Sequence, residues 1–327
     1  MNLQEVAGGD RAVVSNGALG VSRVVGDGLA VSDSPAVGGN RITSAVRDPL
    51  IRAVRRSPAL EVLPGLWTRS LIAWADGRRD TTTQVFWLQG PGFFADLRQP
   101  AGAPDFSRVR RLADIDDTQL EWMSKQDAFA GDLQFDGDVF EWERAINLQP
   151  PGDRADRGRL VFENGVLVER GELGDYIEHW HRTREPRSPG AARLLDEKTG
   201  CIAYLIRVDS LFMYARGRDL AAAPAGVAER AATLTDAIRS APTPEAARRL
   251  LDLEVAFGQV ENCVWRIQRS SLPFRCGQSL DVLATGSLTL SLMDSHFDLG
   301  SRKRHWRIVD LRGDLPIPFY PAAARNP

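Results

Sequence analysis

The sequence predicts an all-β protein made of two antiparallel β-barrels in tandem, the second carrying a helical insertion. Three observations predict it. Short apolar and aromatic runs are separated by turn signals such as Asp76-Gly77, Asp136-Gly137 and Asn164-Gly165. The pattern runs over about residues 65–182 and resumes near residue 198, beyond a polar stretch that contains Pro186 and Pro189. The runs also place charges among aromatics, as in Ala95-Asp-Leu-Arg98, Asp127-Ala-Phe-Ala-Gly131 and Gly174-Asp-Tyr-Ile-Glu-His-Trp-His181. Strands do not need such charges, and their presence points to barrels with a polar interior.

Residues 1–58 are rich in Gly, Ser, Val and Asp with few aromatics, and read as a flexible tail. Within it, residues 44–56 allow one or two helical turns, with Val46, Leu50, Ile51 and Val54 on one face. Strands follow at 66–74, 81–89 and 93–98. A short helix is expected after Leu112, capped by Asp114 or Asp117 and carrying Leu120, Met123 and Phe129. Strands resume at 131–135, 139–146, 159–162, 166–169 and 175–182. The expected organisation is a first barrel over 59–184, a linker over 185–197 and a second barrel over 198–327. The second barrel has strands at 202–208 and 211–215, then a helical insertion over about 221–253. That insertion is broken at Pro242 and Pro244, with Thr243 as a cap. Five further strands follow: 255–257, 263–270, 280–283, 287–293 and 304–311.

The formal net charge of −2 gives no global attraction to nucleic acid or an anionic membrane. No P-loop, dinucleotide fingerprint or nucleophile elbow is present. Three cysteines, Cys201, Cys263 and Cys276, form no CxxC pair, which suits a reducing, cytoplasmic setting. The N-terminus lacks the apolar core of a signal peptide, and no run is long enough to span a membrane as a helix. No cofactor, nucleic-acid partner or membrane partner is expected.

The residues of the first unit resemble a family. Trp67 with Arg69, Asp96-Leu-Arg98, Asp127-Ala-Phe-Ala-Gly131, Trp142, Asp156-Arg-Gly158, Glu169-Arg-Gly171 and Tyr176-Ile-Glu-His-Trp180 follow its pattern in order. It is the fungal tandem lipocalin-like family, one member of which is named for interaction with a casein-kinase-type protein kinase. The match covers about residues 65–182. It departs at Asp127, where the family pattern has Trp, and at Tyr176-Ile-Glu178, where the Glu adjoins the Tyr. The resemblance implies two lipocalin-like barrels and little about activity, because the family's function is unsettled.

Alternation along a strand sorts the candidate site residues. Asp96 and Arg98 share a face with Phe94, and such a pair either anchors a polar ligand group or fixes the barrel's register. His179 and His181 share a face opposite Trp180. They are zinc or iron ligands only if Trp180 points outward and a third ligand arrives from elsewhere. With Trp180 inward they are solvated, and no metal is expected. Asp127, Glu178 and His179 are the candidate acid–base residues. In the second unit Tyr204, Arg207, Tyr214, Arg216 and Arg218 would suit a basic, aromatic-lined lumen if they point inward.

The leading expectation is a small, partly apolar ligand in the first barrel, walled by Trp67, Asp96, Arg98, Trp142 and Tyr176. The alternatives are a cofactor-free isomerase, cyclase or lyase, and a protein-interaction module with filled barrels. Lumen volume discriminates. A cavity of a few hundred Å³ favours carrier or enzyme, and a filled interior favours a protein partner. An inward carboxyl with a raised pKa favours an enzyme.

Overall fold

The structure, a computed structural model, describes residues 58–183, 185–219 and 231–318. The tail, apart from Pro58, and the helical turns expected at 44–56 lie outside the described residues, as does the first part of the insertion. Among the described residues no helix is long and apolar enough to cross a membrane.

Nine strands form the first sheet: β1 (Gly65–Trp74), β2 (Arg79–Asp80), β3 (Gln84–Gln89), β4 (Phe93–Gln99), β5 (Asp127–Phe135), β6 (Phe140–Asn147), β7 (Arg157–Glu163), β8 (Val166–Gly171) and β9 (Tyr176–Arg182). All neighbours pair antiparallel, and β1 also pairs with β9, from Trp67↔Arg182 to Trp74↔Tyr176. That pairing closes an eight-stranded barrel, with β2 a short addition to β1. The expected pattern of antiparallel strands joined by tight turns is thus present, and closure removes the sheet's free edges.

The second sheet contains β10 (Pro189–Leu195), β11 (Ile202–Val208), β12 (Leu211–Arg216), β13 (Glu254–Glu261), β14 (Val264–Ser270), β15 (Leu283–Gly286), β16 (Thr289–His296) and β17 (Gly300–Gly313). Its order is β14-β13-β12-β11-β10-β17-β16-β15, so it curls without full closure. The segment just before β15 bridges the gap. Arg266 pairs with Ser279, the Leu280 N–H donates to the Trp265 carbonyl at 2.8 Å, and the Met293 N–H donates to Leu280 at 2.7 Å.

The linker expected over 185–197 needs correction, because residues 189–195 form β10, a central strand. Ala191 packs between the sheets and Ala192 packs inside the second barrel. Gly190, Ala191 and Ala192 are buried but small, and large apolar side chains appear only at the strand's end, at Leu194 and Leu195, so the segment does not stand out by eye.

Three apolar cores result. One fills the first barrel, one fills the second, and the third lies between the two sheets. β4 shows how one strand serves two of them. Phe94, Asp96 and Arg98 point into the first barrel, while Phe93, Ala95 and Leu97 pack against the second sheet. Phe86 stacks on Phe257 with ring centroids 5.0 Å apart, and Phe93 meets Tyr204 edge-on at 5.1 Å. The Tyr204 hydroxyl donates to Asp132 at 3.2 Å.

The expected helix after Leu112 is shorter than the sequence suggests. It is α1, Asp117–Ser124, capped by Asp116, whose carboxylate accepts the Gln119 N–H while the Gln119 side chain accepts the Asp116 N–H. Asp127 then opens β5, so Phe129 belongs to a strand. In the insertion, α2 spans Leu234–Arg239 and α3 spans Pro244–Arg249, with Thr243 capping α3 as its position predicts.

Candidate functional site

The first barrel's interior is built from alternate residues of its strands. Trp67, Trp87, Trp142 and Trp180 all point inward and are nearly fully buried. Trp87 is the hub: Trp67 stacks on it at 5.8 Å, and Trp142 and Trp180 meet it edge-on at 5.9 and 5.3 Å. Each indole brings a large apolar area into one core. Two of the indole N–H groups find acceptors within the same neighbourhood: Trp67 donates to the Leu63 carbonyl at 2.8 Å and Trp87 to Gln89 at 3.1 Å.

Charges fill the rest. Arg98 donates twice to Asp96, at 3.1 and 3.2 Å, and its guanidinium lies over the Phe129 and Trp180 rings. Arg69 donates to Glu178 at 2.5 Å, and Arg98 reaches the same carboxylate at 3.5 Å. Buried ions need such pairing, because an uncompensated charge in an apolar interior costs several kcal/mol. Burial pushes the Asp96 pKa up, and Arg98 offsets part of that rise.

Glu169 differs from its neighbours. It faces Glu178 directly across β8 and β9 and is buried. No cation binds it among the described residues; its donors are the Tyr176 hydroxyl at 2.9 Å and the Trp180 indole at 3.0 Å. Burial holds its pKa well above the usual carboxylate range, and the charges of Glu178 and Asp156 push the same way. Gly158 leaves room for this carboxyl, since a Cβ there would lie 3.1 Å from Glu169 Oε1.

The space left inside the first barrel is about 10 Å³, bounded by Trp87, Asp96, Arg98, Phe129, Trp142, Asp156, Glu169 and Trp180. That is about one water's worth. The lumen of a few hundred Å³ that would favour a carrier or an enzyme is absent from this site, because the four indoles and the ion pairs occupy it, and this filled interior by itself favours a protein partner. A larger space opens sideways. β6 and β7 pair at Phe140↔Gly158 and Glu141↔Arg157, the Trp142 N–H donates to the Asp156 carbonyl at 2.9 Å, and the strands then diverge. Outside the split lies an open cleft of about 520 Å³, lined by Trp142, Arg144, Asp156, Tyr176 and the 149–155 loop among others. Trp142 and Asp156 border both spaces. Arg144 clamps the cleft's inner edge, donating to Asp156 at 3.0 and 2.5 Å and lying 3.4 Å above the Phe129 ring.

The structure sorts the residues singled out from the sequence. Trp67, Asp96, Arg98, Trp142, Glu178 and Tyr176 all face the first barrel's interior. Asp127 sits at its rim, with one oxygen 3.6 Å from Arg144 and the other buried without a hydrogen-bond partner. His179 and His181 lie on the outer face, because Trp180 points in. His181 is exposed and hydrogen-bonds Ser70 at 2.8 Å. Among the described residues no group of three His, Cys, Asp or Glu is placed to hold a metal ion. His179 therefore stands apart from the buried carboxyls with which it was grouped. The residue not singled out as an acid is Glu169. Its alternation with the buried Leu167 on β8 is the signal that finds it.

In the second unit the five basic and aromatic candidates divide. Tyr214 and Arg216 point inward, and Arg216 binds Asp294 at 3.1 Å and Asp252 at 2.7 Å. Tyr204 faces the first barrel, Arg207 caps one end over Trp265, and Arg218 donates to the carbonyls of Asn147, Leu148 and Leu250.

No family model matches this chain, and no curated protein sequence matches it. Among solved structures, the chain is similar to the crystal structure of an uncharacterized protein, YLR301w, from Saccharomyces cerevisiae. The identity is 10% and the TM-score 0.43, with 76% of this chain and 99% of that one covered.

Proposed function

We propose that the first barrel binds a small, partly apolar molecule at its lateral mouth between β6 and β7, and not deep in its lumen. One observation carries this reading: the wall splits beyond the Trp142–Asp156 backbone hydrogen bond, and a 520 Å³ cleft opens onto Trp142 and Tyr176. An aromatic floor with a few polar groups at its edge is the usual make-up of a small-molecule site. Arg144 and Asp156 supply those groups. In this reading the chain is a cytoplasmic relative of the fungal tandem lipocalin-like proteins it resembles.

Ala155 lines the cleft and is exposed, so Ala155→Trp fills the mouth without entering a core. Native mass spectrometry of the full chain from its own host should show an adduct that leaves on denaturation. The adduct should be absent from the Ala155→Trp protein at unchanged thermal stability. An adduct that persists in the blocked protein would sink the proposal. So would the lack both of an adduct and of any saturable, Ala155→Trp-sensitive binding of an apolar dye.

A second reading, an acid–base enzyme at the same mouth, is favoured by Glu169. Its carboxyl has only neutral donors, and one of them, Tyr176, lines the cleft. A carboxyl held above the usual carboxylate range by burial, beside an open mouth, is the kind of acid a cofactor-free isomerase or lyase requires.

A further inference from the structure

The second barrel has a seam of its own. β10 pairs with β17 from Gly190↔Gly313 to Leu195↔Arg307, and then turns away at Asp196. β17 runs on from Arg307 back to Gly300 without β10 beside it. In this gap lies an open cleft of about 440 Å³. Its lining is cationic: it includes Lys198, Arg302, Lys303, Arg304 and Arg307 against Asp196 and Glu197.

Both carboxylates are already engaged. Asp196 accepts the Lys198 backbone N–H at 3.0 Å and lies 3.8 Å from Arg304 Nε. Glu197 is held by Arg307 at 2.7 Å. Lys198 and Arg302 have no ion-pair partner among the described residues.

The inner wall holds unused donors. Arg304 is 6% exposed and Trp306 is 2% exposed, and both line the cleft. Arg304 Nε makes an ion pair with Asp294 at 3.0 Å, but its Nη1 has no hydrogen-bond partner among the described residues. The Trp306 indole N–H has none either, nor has the buried hydroxyl of Tyr214, whose ring lies 6.4 Å from that of Trp306. Buried donors without acceptors are rare in folded proteins and call for an explanation. Two of them, on Arg304 and Trp306, belong to residues that line the cationic opening.

We propose that this seam is a binding site for a small oxyanion, a phosphate or carboxylate group. Arg304 Nη1 and the Trp306 N–H would be its inner donors, and Lys198 and Arg302 its outer cations. An acceptor carrying negative charge satisfies the orphaned donors and balances the excess cations at once. The site is in the other barrel and is independent of the cleft between β6 and β7.

The test uses the full chain, with thermal unfolding followed by tryptophan emission in potassium phosphate, and in potassium chloride at equal ionic strength. Phosphate should stabilise the protein saturably beyond chloride. Arg302→Gln should shift the phosphate midpoint up by roughly tenfold, the loss of one charge-assisted contact. Its stability in chloride should change little, because Arg302 has no ion-pair partner among the described residues. Trp306→Phe removes the donor together with part of the buried indole, so it is read only as the difference between phosphate and chloride, which should shrink. Potassium acetate separates the two sources of the group, and saturation by acetate alone supports a carboxylate ligand. No stabilisation by either anion beyond chloride would overturn the proposal. So would an equal response from the wild type and Arg302→Gln.

Discussion

Arg69→Met probes the electrostatic centre of the first barrel. Arg69 and Glu178 are only 6% and 2% exposed and are joined by a 2.5 Å hydrogen bond. Removing the guanidinium leaves a buried carboxylate whose remaining cation, Arg98, is 3.5 Å away and already committed to Asp96. Breaking a buried pair by deleting one partner costs about 3–5 kcal/mol. The residual contact with Arg98 places the expected loss near the lower figure, about 3 kcal/mol. Urea unfolding followed by tryptophan emission reads it well, since four indoles sit in this core. The double variant Arg69→Met with Glu178→Met tests the cause, because replacing both ions by apolar groups removes the stranded charge. It should recover at least half of the loss. A loss below about 1 kcal/mol for Arg69→Met would mean the pair behaves like a solvated surface bridge. A double variant as unstable as the two single variants added together would refute the coupling.

Two further outcomes follow from the same interior. Glu169 has a folded-state pKa raised by burial and by the charges of Glu178 and Asp156. Between its unfolded value of about 4.3 and the raised folded value, the folded protein holds a proton that the unfolded chain has released. Stability therefore falls as pH rises through that interval. Glu169→Gln has no proton to lose, so its stability should fall less steeply above pH 4.5 in urea titrations at several pH values. Parallel slopes for the two proteins would refute the assignment. Gly131→Ala addresses the bulge where β5 meets β6. A Cβ at 131 would lie 1.8 Å from the Glu143 carbonyl oxygen, so the ladder must shift, at a cost of at least about 2 kcal/mol in the same unfolding assay.

Much of the first barrel was legible because a strand has a side-chain period of two. That rule places Asp96 and Arg98 beside Phe94 on the inner face of β4. It puts His179 and His181 opposite Trp180, so burying one large indole exposes two imidazoles. It extends to Glu169, which alternates with Leu167. The rule fails at β10, where Gly190, Ala191 and Ala192 are buried yet too small to mark a strand. It fails again at Asp127 to Phe129, where the chain leaves α1 and enters β5 two residues later.

The sequence by itself determined the all-β class, the two β-units in tandem and the shared faces on β4 and β9, because these depend on local alternation and turn chemistry. Only the tertiary structure decided what the inward faces enclose. Whether four tryptophans leave a ligand-sized cavity or fill the barrel depends on how they meet across four different strands. Which carboxyl goes without a cation depends on where the arginines land: Arg69 and Arg98 reach Glu178 and Asp96, and Glu169 is left with Tyr176 and Trp180. The two seams, at β6–β7 and at β10–β17, are likewise properties of strand pairing, which no single segment encodes.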